Sequence, residues 1–232
     1  MGATRLPGKV VENLAGQPML MRVVNRTGRA KTLDTVVVAT TTQPADDAII
    51  NLCDEQSLPF YRGSEHDVLD RYYRAALEFK ANVVVRITSD CPLIEPKIID
   101  RVVSEFLSCH PEADYISNTL ERTFPRGLDV EVMSLNALKK AWQEDNDPSW
   151  REHVTPYIWH HPEIFRIRNV RSNIDYSYMR WTVDTIDDLT FVRKIYEHFQ
   201  NDSFSWKEVL HLLETHPELL EINRHTQQKA VQ

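Results

Sequence analysis

The sequence predicts an α/β fold in which a mostly parallel sheet is covered by helices on both faces. Three observations carry this. Short β-branched runs alternate with amphipathic stretches through the first half of the chain. The runs are almost wholly apolar, as strands buried on both faces are. Acidic residues stand just past two of the runs, at Asp90 and Asp184, where open parallel sheets bind their ligands.

The elements follow in order. Residues 10–30 read as a short link and then a helix. Thr35–Thr40 is a buried strand. A helix runs from Pro44 to Gln56, with Pro44 suited to its first turn and Ala48, Ile49 and Leu52 on one face. Leu58–Tyr61 is a second strand. Glu65–Phe79 is a helix with Val68, Leu69, Tyr72, Ala76 and Phe79 at core spacing, and Asn82–Ile87 is the next strand. Glu95–Leu107 is helical. The pattern changes beyond Asn118. Asp129–Met133 alternates polar and apolar residues, the mark of a half-exposed strand. Asn136–Glu144 and Arg151–His160 read as helices, Phe165–Val170 and Met179–Val183 as strands, and Leu189–Phe199 and Trp206–Leu213 as helices. With no internal repeat and no low-complexity linker, residues 1–222 form one domain with an α+β excursion at about 119–175, and 223–232 is a polar tail.

Composition narrows the function. The net charge is −7, which argues against a nucleic-acid partner. Cys53, Cys91 and Cys109 are far apart and make no Cys-x-x-Cys pair, which fits a reducing cytoplasm. No signal peptide and no apolar run long enough to span a bilayer is visible.

The chemistry concentrates in loops. Gly2-Ala3-Thr4-Arg5-Leu6-Pro7-Gly8-Lys9 packs small residues, a Pro-Gly turn and two cations into one short segment. Backbone N–H groups in such a loop form an anion-binding nest. Arg5 and Lys9 add a planar fork and a point charge against phosphate. The alternative is a basic surface turn, since this segment does not match the Walker pattern. Asp90 and Asp184, converging above such a loop, would hold Mg²⁺ against a triphosphate. Alternatively, Asp90 satisfies loop amides, and Asp184 merely flanks Thr185, an N-cap with Asp188 at the third helical position. Glu65 and Asp67 suit the first turn of a helix, whereas Arg62 before that turn suits a phosphate or base. Two further charged clusters, Arg126 with Asp129 and Glu131, and Arg151 with Glu152 and His153, suit a ligand rich in carboxylate and hydroxyl groups. Surface ion pairs of little energetic weight are the competing account. Trp142, Trp150 and Trp159 in the excursion suit either a homodimer contact beside the Asp129–Met133 strand or a small satellite core.

These segments resemble a known family. Gly2–Lys9 with Gly16-Gln17-Pro18-Met19 is similar to the opening of the acylneuraminate cytidylyltransferase superfamily. Val36–Thr42, Phe60–Ser64, Asp67–Tyr72, Arg86–Ile94, Pro125–Glu131, Arg151–Tyr157 and Arg180–Thr185 resemble its branch typified by spore coat polysaccharide biosynthesis protein F. The resemblance implies a Rossmann-like fold of the nucleotide-diphospho-sugar transferase type. It also implies transfer of CMP from CTP to a sugar or sugar acid, with pyrophosphate released. By it Arg5 and Lys9 are catalytic, and Gly2, Ala3, Thr4, Arg62, Asp67 and Arg71 bind the nucleotide. Asp90 and Asp184 hold Mg²⁺. Arg126, Asp129, Glu131, Arg151 and His153 face the sugar, and a homodimer is favoured. The family opens with an apolar strand ending in Gln-Ala-Arg just before the loop. This sequence starts inside the loop, so a misplaced start codon or a fragment is the expectation. A glycosyltransferase using a nucleotide-sugar, normally marked by Asp-x-Asp where this chain has Asp90-Cys91-Pro92, and a non-catalytic nucleotide-binding protein are the alternatives.

Overall fold

The structure is a computed structural model that describes residues 1–3 and 5–228. Thr4, expected to bind nucleotide, and residues 229–232 of the expected tail lie outside the described residues.

After the N-terminal loop, Lys9–Val11 makes one 3-10 turn, and a small hairpin, β1 (Asn13–Leu14) and β2 (Gln17–Pro18), leads into α1 (Met19–Thr27). β3 (Val38–Thr41), α2 (Asp47–Glu55), β4 (Phe60–Gly63) and α3 (Val68–Glu78) follow, and β3 pairs with β4 in parallel. Next come β5 (Val83–Arg86), α4 (Pro96–Cys109), β6 (Tyr115–Ser117), β7 (Glu131–Ser134), α5 (Leu135–Glu144), α6 (Pro148–His153), α7 (Pro156–His160) and β8 (Ile167–Asn169). The chain ends with α8 (Ile186–Phe199), α9 (Trp206–Thr215) and α10 (Glu218–Glu221).

A second sheet has the order β5-β7-β6-β8. β7 runs antiparallel to both neighbours, and β6 and β8 are parallel. Helices cover both faces, and the strand residues show it. Ile116 and Val132 face one apolar cluster, built with Ile99 and Phe106 of α4 and Phe191 and Val192 of α8. Their neighbours Tyr115 and Met133 face another, built with Leu69 and Tyr73 of α3 and Leu138 of α5. This is the alternation that a doubly covered sheet requires. Among the described residues no helix is long and apolar enough to cross a membrane.

Three expectations are corrected. The Asp129–Met133 strand is not half-exposed. β7 is buried along its length between β5 and β6, because Glu131 turns inward to partners inside the protein. Met179–Val183 forms no strand and contributes only an isolated bridge between Arg126 and Arg180, since its backbone is spent on loop contacts. The helix expected over 151–160 is broken in two at Val154, whose φ is 73°, and Pro156 starts the second piece. In the excursion, Trp142 and Trp159 pack against the α3 cluster. Trp142 stacks on Tyr73 with ring centroids 4.6 Å apart, and its indole N–H donates to Asp70.

Candidate active site

Two loops meet beyond the sheet. The first leaves the carboxyl end of β5 through Thr88 and Asp90. The second runs from Arg180 into the N-terminus of α8. They are stitched together by backbone: Val183 N–H donates to the Asp90 carbonyl at 2.8 Å, and the Thr182 hydroxyl donates to the same carbonyl at 3.1 Å. Asp90 and Asp184 are thereby brought side by side, as their places past apolar runs predict.

Lys9 stands between them. Its ammonium donates to Asp90 Oδ2 at 3.2 Å, Asp184 Oδ1 at 2.9 Å and the Val183 carbonyl at 2.6 Å. The residue is only 8 % exposed. Burial works against its charge, but the two carboxylates prevail and hold the ammonium pKa above its ordinary value. Gly8 makes this aim possible. Its φ of 72° lies in the left-handed region, and from there the 3-10 turn drops Lys9 into the site.

Asp184 is the hub. Its other oxygen accepts from Arg5 at 2.8 Å and Arg180 at 2.7 Å. Burial would raise its pKa, but the Lys9 and Arg180 contacts and the Arg5 charge hold it below the usual carboxylate value. Arg180 also grips Asp188, which is fully buried, through bonds of 2.8 and 3.1 Å. Asp188 in turn accepts from the backbone N–H groups of Asp184 and Thr185, and Thr185 closes the capping box of α8. Asn223 reaches in from the C-terminal segment to the Arg180 carbonyl and Asp188, and Arg5 donates to the Gln227 carbonyl.

The remaining candidates fall into three groups. Gly2 and Ala3 lie in the N-terminal loop, where the N–H groups of Gly8 and Lys9 are spent on the carbonyls of Met1 and Leu6. Arg62 donates to the carbonyls of Thr41 and Gln43 and pairs with Asp47. Asp67 caps α3, and Arg71 donates to the Ser64 carbonyl. Arg151 donates twice to Asp67, at 2.7 and 2.9 Å, and so joins the α3 group. His153 sits in the last turn of α6.

On the far side, Asp129 is held by Arg122 through two bonds of 2.5 and 2.8 Å. Arg126 makes no ion pair among the described residues. Burial first and the Arg122 and Arg180 charges next lower its pKa, against Asp129. Its guanidinium therefore keeps donors for an anion. Arg126 is tied to the Asp184 loop: its N–H donates to the Met179 carbonyl at 3.0 Å, and its carbonyl accepts from Trp181 N–H at 2.7 Å. Gly127 follows with φ 105°, and a Cβ there would lie 2.6 Å from the Thr182 nitrogen. Glu131 is buried elsewhere, accepting from Tyr115 at 2.7 Å, Thr155 at 2.6 Å and Arg86.

Arg122 and Arg180 are not singled out by the sequence, and Asp188 is read from it only as the cap partner of Thr185. Arg180 was readable: it stands four residues before Asp184 in the same apolar-flanked run, and an arginine amid apolar residues needs a buried partner. Arg122 carries no comparable local signal.

A family model described as cytidylyltransferase matches residues 1–227. The chain belongs to the cytidylyltransferase family. It is 34% identical over 231 residues to the uncharacterized protein MJ1063 of Methanocaldococcus jannaschii, covering 99% of this chain and 93% of that one. It is 30% identical over 226 residues to the spore coat polysaccharide biosynthesis protein SpsF of Bacillus subtilis, covering 94% and 92%. A cytidylyltransferase structure from Leptospira borgpetersenii superposes with a TM-score of 0.92 at 31% identity, covering 99% of this chain and 95% of that one. A CMP:2-keto-3-deoxy-manno-octonic acid synthetase complexed with CTP superposes with a TM-score of 0.65 at 16% identity, covering 85% and 95%, and shows the shared fold. As a cytidylyltransferase, the chain is a nucleotidyltransferase enzyme of the nucleotide-diphospho-sugar transferase fold.

Proposed function

We propose that this cytidylyltransferase transfers CMP from CTP to a hydroxyl of a sugar or sugar acid for surface-polysaccharide or glycan synthesis. The hydroxyl oxygen bonds to the α-phosphorus, the bond to the β-phosphate oxygen breaks, and pyrophosphate leaves. The observation that carries this reading is the Lys9 ammonium held between Asp90 and Asp184, with Arg5 on the same hub. Cations fixed beside a departing pyrophosphate stabilise charge that grows in the transition state, at no cost of reorganisation. Arg126, with donors to spare, suits an acidic group on the acceptor. A sugar-acid acceptor also accords with the 3-deoxy-manno-octulosonate cytidylyltransferase of Trichlorobacter lovleyi, 33% identical over 107 residues.

The residues fit Mg²⁺. Asp90 and Asp184 offer the hard oxygen donors that ion prefers, and they already share one compact cation. Among the described residues no group of three potential ligands is present, which accords with an ion bound by one or two carboxylates plus substrate phosphates. When bound, the ion would neutralise phosphate charge. A homodimer belongs to the same reading, and light scattering at tens of micromolar tests it, a fully active monomer counting against it.

The decisive experiment measures pyrophosphate release from CTP with a sugar and sugar-acid panel. Asp90→Asn and Asp184→Asn should each nearly abolish turnover while the fold survives. CTP with Mg²⁺ at ~100 times its dissociation constant should add roughly 2.7 kcal/mol of stability, and ATP less. Near-wild-type turnover in Asp184→Asn, or equal stabilisation by every nucleotide, would defeat the reading.

A further inference from the structure

The Asp184 hub has neighbours from a distant part of the chain. α10 ends at Glu221, and Asn223 just beyond it is buried. Its amide donates to the Arg180 carbonyl at 2.9 Å and to Asp188 at 3.0 Å. A turn follows, closed by the Thr226 N–H on the Asn223 carbonyl at 3.0 Å. The turn brings residues 227 and 228 against two arginines of the hub. Arg5 gives Nη2 to Asp184 at 2.8 Å and Nη1 to the Gln227 carbonyl at 3.1 Å. Arg180 gives Nε and Nη2 to Asp188 and Asp184, and Nη1 to the side-chain oxygen of Gln228. The two guanidinium groups thus hold carboxylates on one side and this segment on the other.

The tether and the stretch after it differ in kind. Asn223 is buried and bonded on both sides. Residues 224, 225, 227 and 228 are exposed and belong to no helix or strand. What they offer the arginines is neutral: one backbone carbonyl and one side-chain amide oxygen. An anionic phosphate oxygen makes a shorter bond to a guanidinium, about twice as strong. Neighbouring phosphate oxygens can also span two guanidinium groups, as residues 227 and 228 do. A neutral segment in that place yields to a phosphate, whereas an acidic one would resist it.

We propose that residues 224–228 are an autoinhibitory strap tethered at Asn223. The Gln227 carbonyl and the Gln228 amide oxygen occupy Arg5 and Arg180 donors that the phosphates of CTP or pyrophosphate would take, and such a ligand binds by displacing the strap. The inference rests on the CTP reading of the site. A site that is open for only part of the time loses affinity in proportion to the time it is closed, so the strength of the strap tunes how much nucleotide the enzyme needs.

The test uses pyrophosphate with Mg²⁺ as the probe and three full-length chains: wild type, Gln228→Ala and Gln228→Glu. Calorimetry should show Gln228→Ala binding pyrophosphate about threefold tighter than wild type. Gln228→Glu should bind it at least as much more weakly, since a carboxylate holds Arg180 better than an amide does. Trypsin reports the strap directly by cutting after Arg224, whose side chain is 68% exposed. Pyrophosphate should speed that cut in wild type, as the displaced strap leaves the hub. Slower cutting with pyrophosphate would make the segment a lid over the bound ligand and overturn the proposal. Weaker binding by Gln228→Ala would make Gln228 a phosphate contact, and equal affinities or none in all three chains would leave nothing for a strap to oppose; either result overturns it too. Tighter pyrophosphate binding by Gln228→Ala, with no pyrophosphate released from CTP by any chain on any acceptor, would uphold the strap and defeat the CTP reading instead.

Discussion

Two carboxylate–cation clusters differ in the elements that hold them, one lying where two loops meet and the other on the strands of a sheet. Around Asp184, three cations converge on a side chain at the meeting of two loops, and one of them, Lys9, also holds Asp90. Around Glu131, on β7, the partners Arg86, Tyr115 and Thr155 come from β5, β6 and the turn before α7; all but the partly exposed Arg86 are buried. Arg86 is opposite Glu131 in the ladder register. Burial works against its charge, but Glu131 holds its pKa above the ordinary guanidinium value. The chemistry is alike, and so is the exposure of Arg86 and Asp184, 17 % and 18 % of their side chains; what differs is that loops hold the first cluster and strands the second. An ion pair inside a protein is therefore no sign of a ligand site until its surroundings are known.

The comparison breaks most visibly at Glu131. Glu131→Ala leaves the mostly covered Arg86 without its carboxylate and Tyr115 and Thr155 without their acceptor, and removing one partner of a buried pair costs about 3–5 kcal/mol. Urea unfolding should show it, and a loss under ~1 kcal/mol would mean that the network is as replaceable as a surface pair. Lys9→Ala should instead keep the fold and lower turnover ~10²–10³-fold, about 3–4 kcal/mol on the barrier. Unchanged turnover with weaker CTP binding would reduce Lys9 to a ground-state contact.

The third prediction concerns pH. Asp184 is held below its unfolded value, so its contribution is full above that value, near 3.9, and fades as pH falls through the folded pKa. Lys9 is raised, so its contribution is full below ~10.4 and fades as pH rises through its folded pKa. Asp184→Asn should flatten the acid limb of a stability–pH curve and Lys9→Ala the alkaline one; limbs identical to wild type would show that the hub adds nothing to folding. The smallest effect belongs to Arg151. Its pair with Asp67 is partly exposed, so Arg151→Ala should cost at most ~1 kcal/mol in thermal unfolding, and a loss as large as that of Glu131→Ala would erase the distinction between rim and core.

What was legible in the sequence follows the same line. Asp90 follows β5, and a strand end fixes where its loop starts; Asp184 follows no strand and is brought beside Asp90 by the Val183 N–H bond to the Asp90 carbonyl, which no local pattern announces. The cap at Thr185 and Asp188 was readable from local spacing. Glu131 was not: alternation reports that a polar residue points away from its neighbours, and only the fold tells whether a partner or water lies there. Met179–Val183 was misread for a related reason. Such a short run is equally suited to a loop whose Trp181 and Val183 amides are taken by the Arg126 and Asp90 carbonyls. The Arg122–Asp129 fork depends on a turn whose closure no local pattern announces.

Gly127 acts as the pivot of a rigid linkage. The backbone on either side of it is lashed to 179–182 so closely that a single methyl group has no room. The loop that carries Arg126 and the loop that carries Asp184 are thereby fastened into one piece of backbone, so neither can be reshaped without displacing the other.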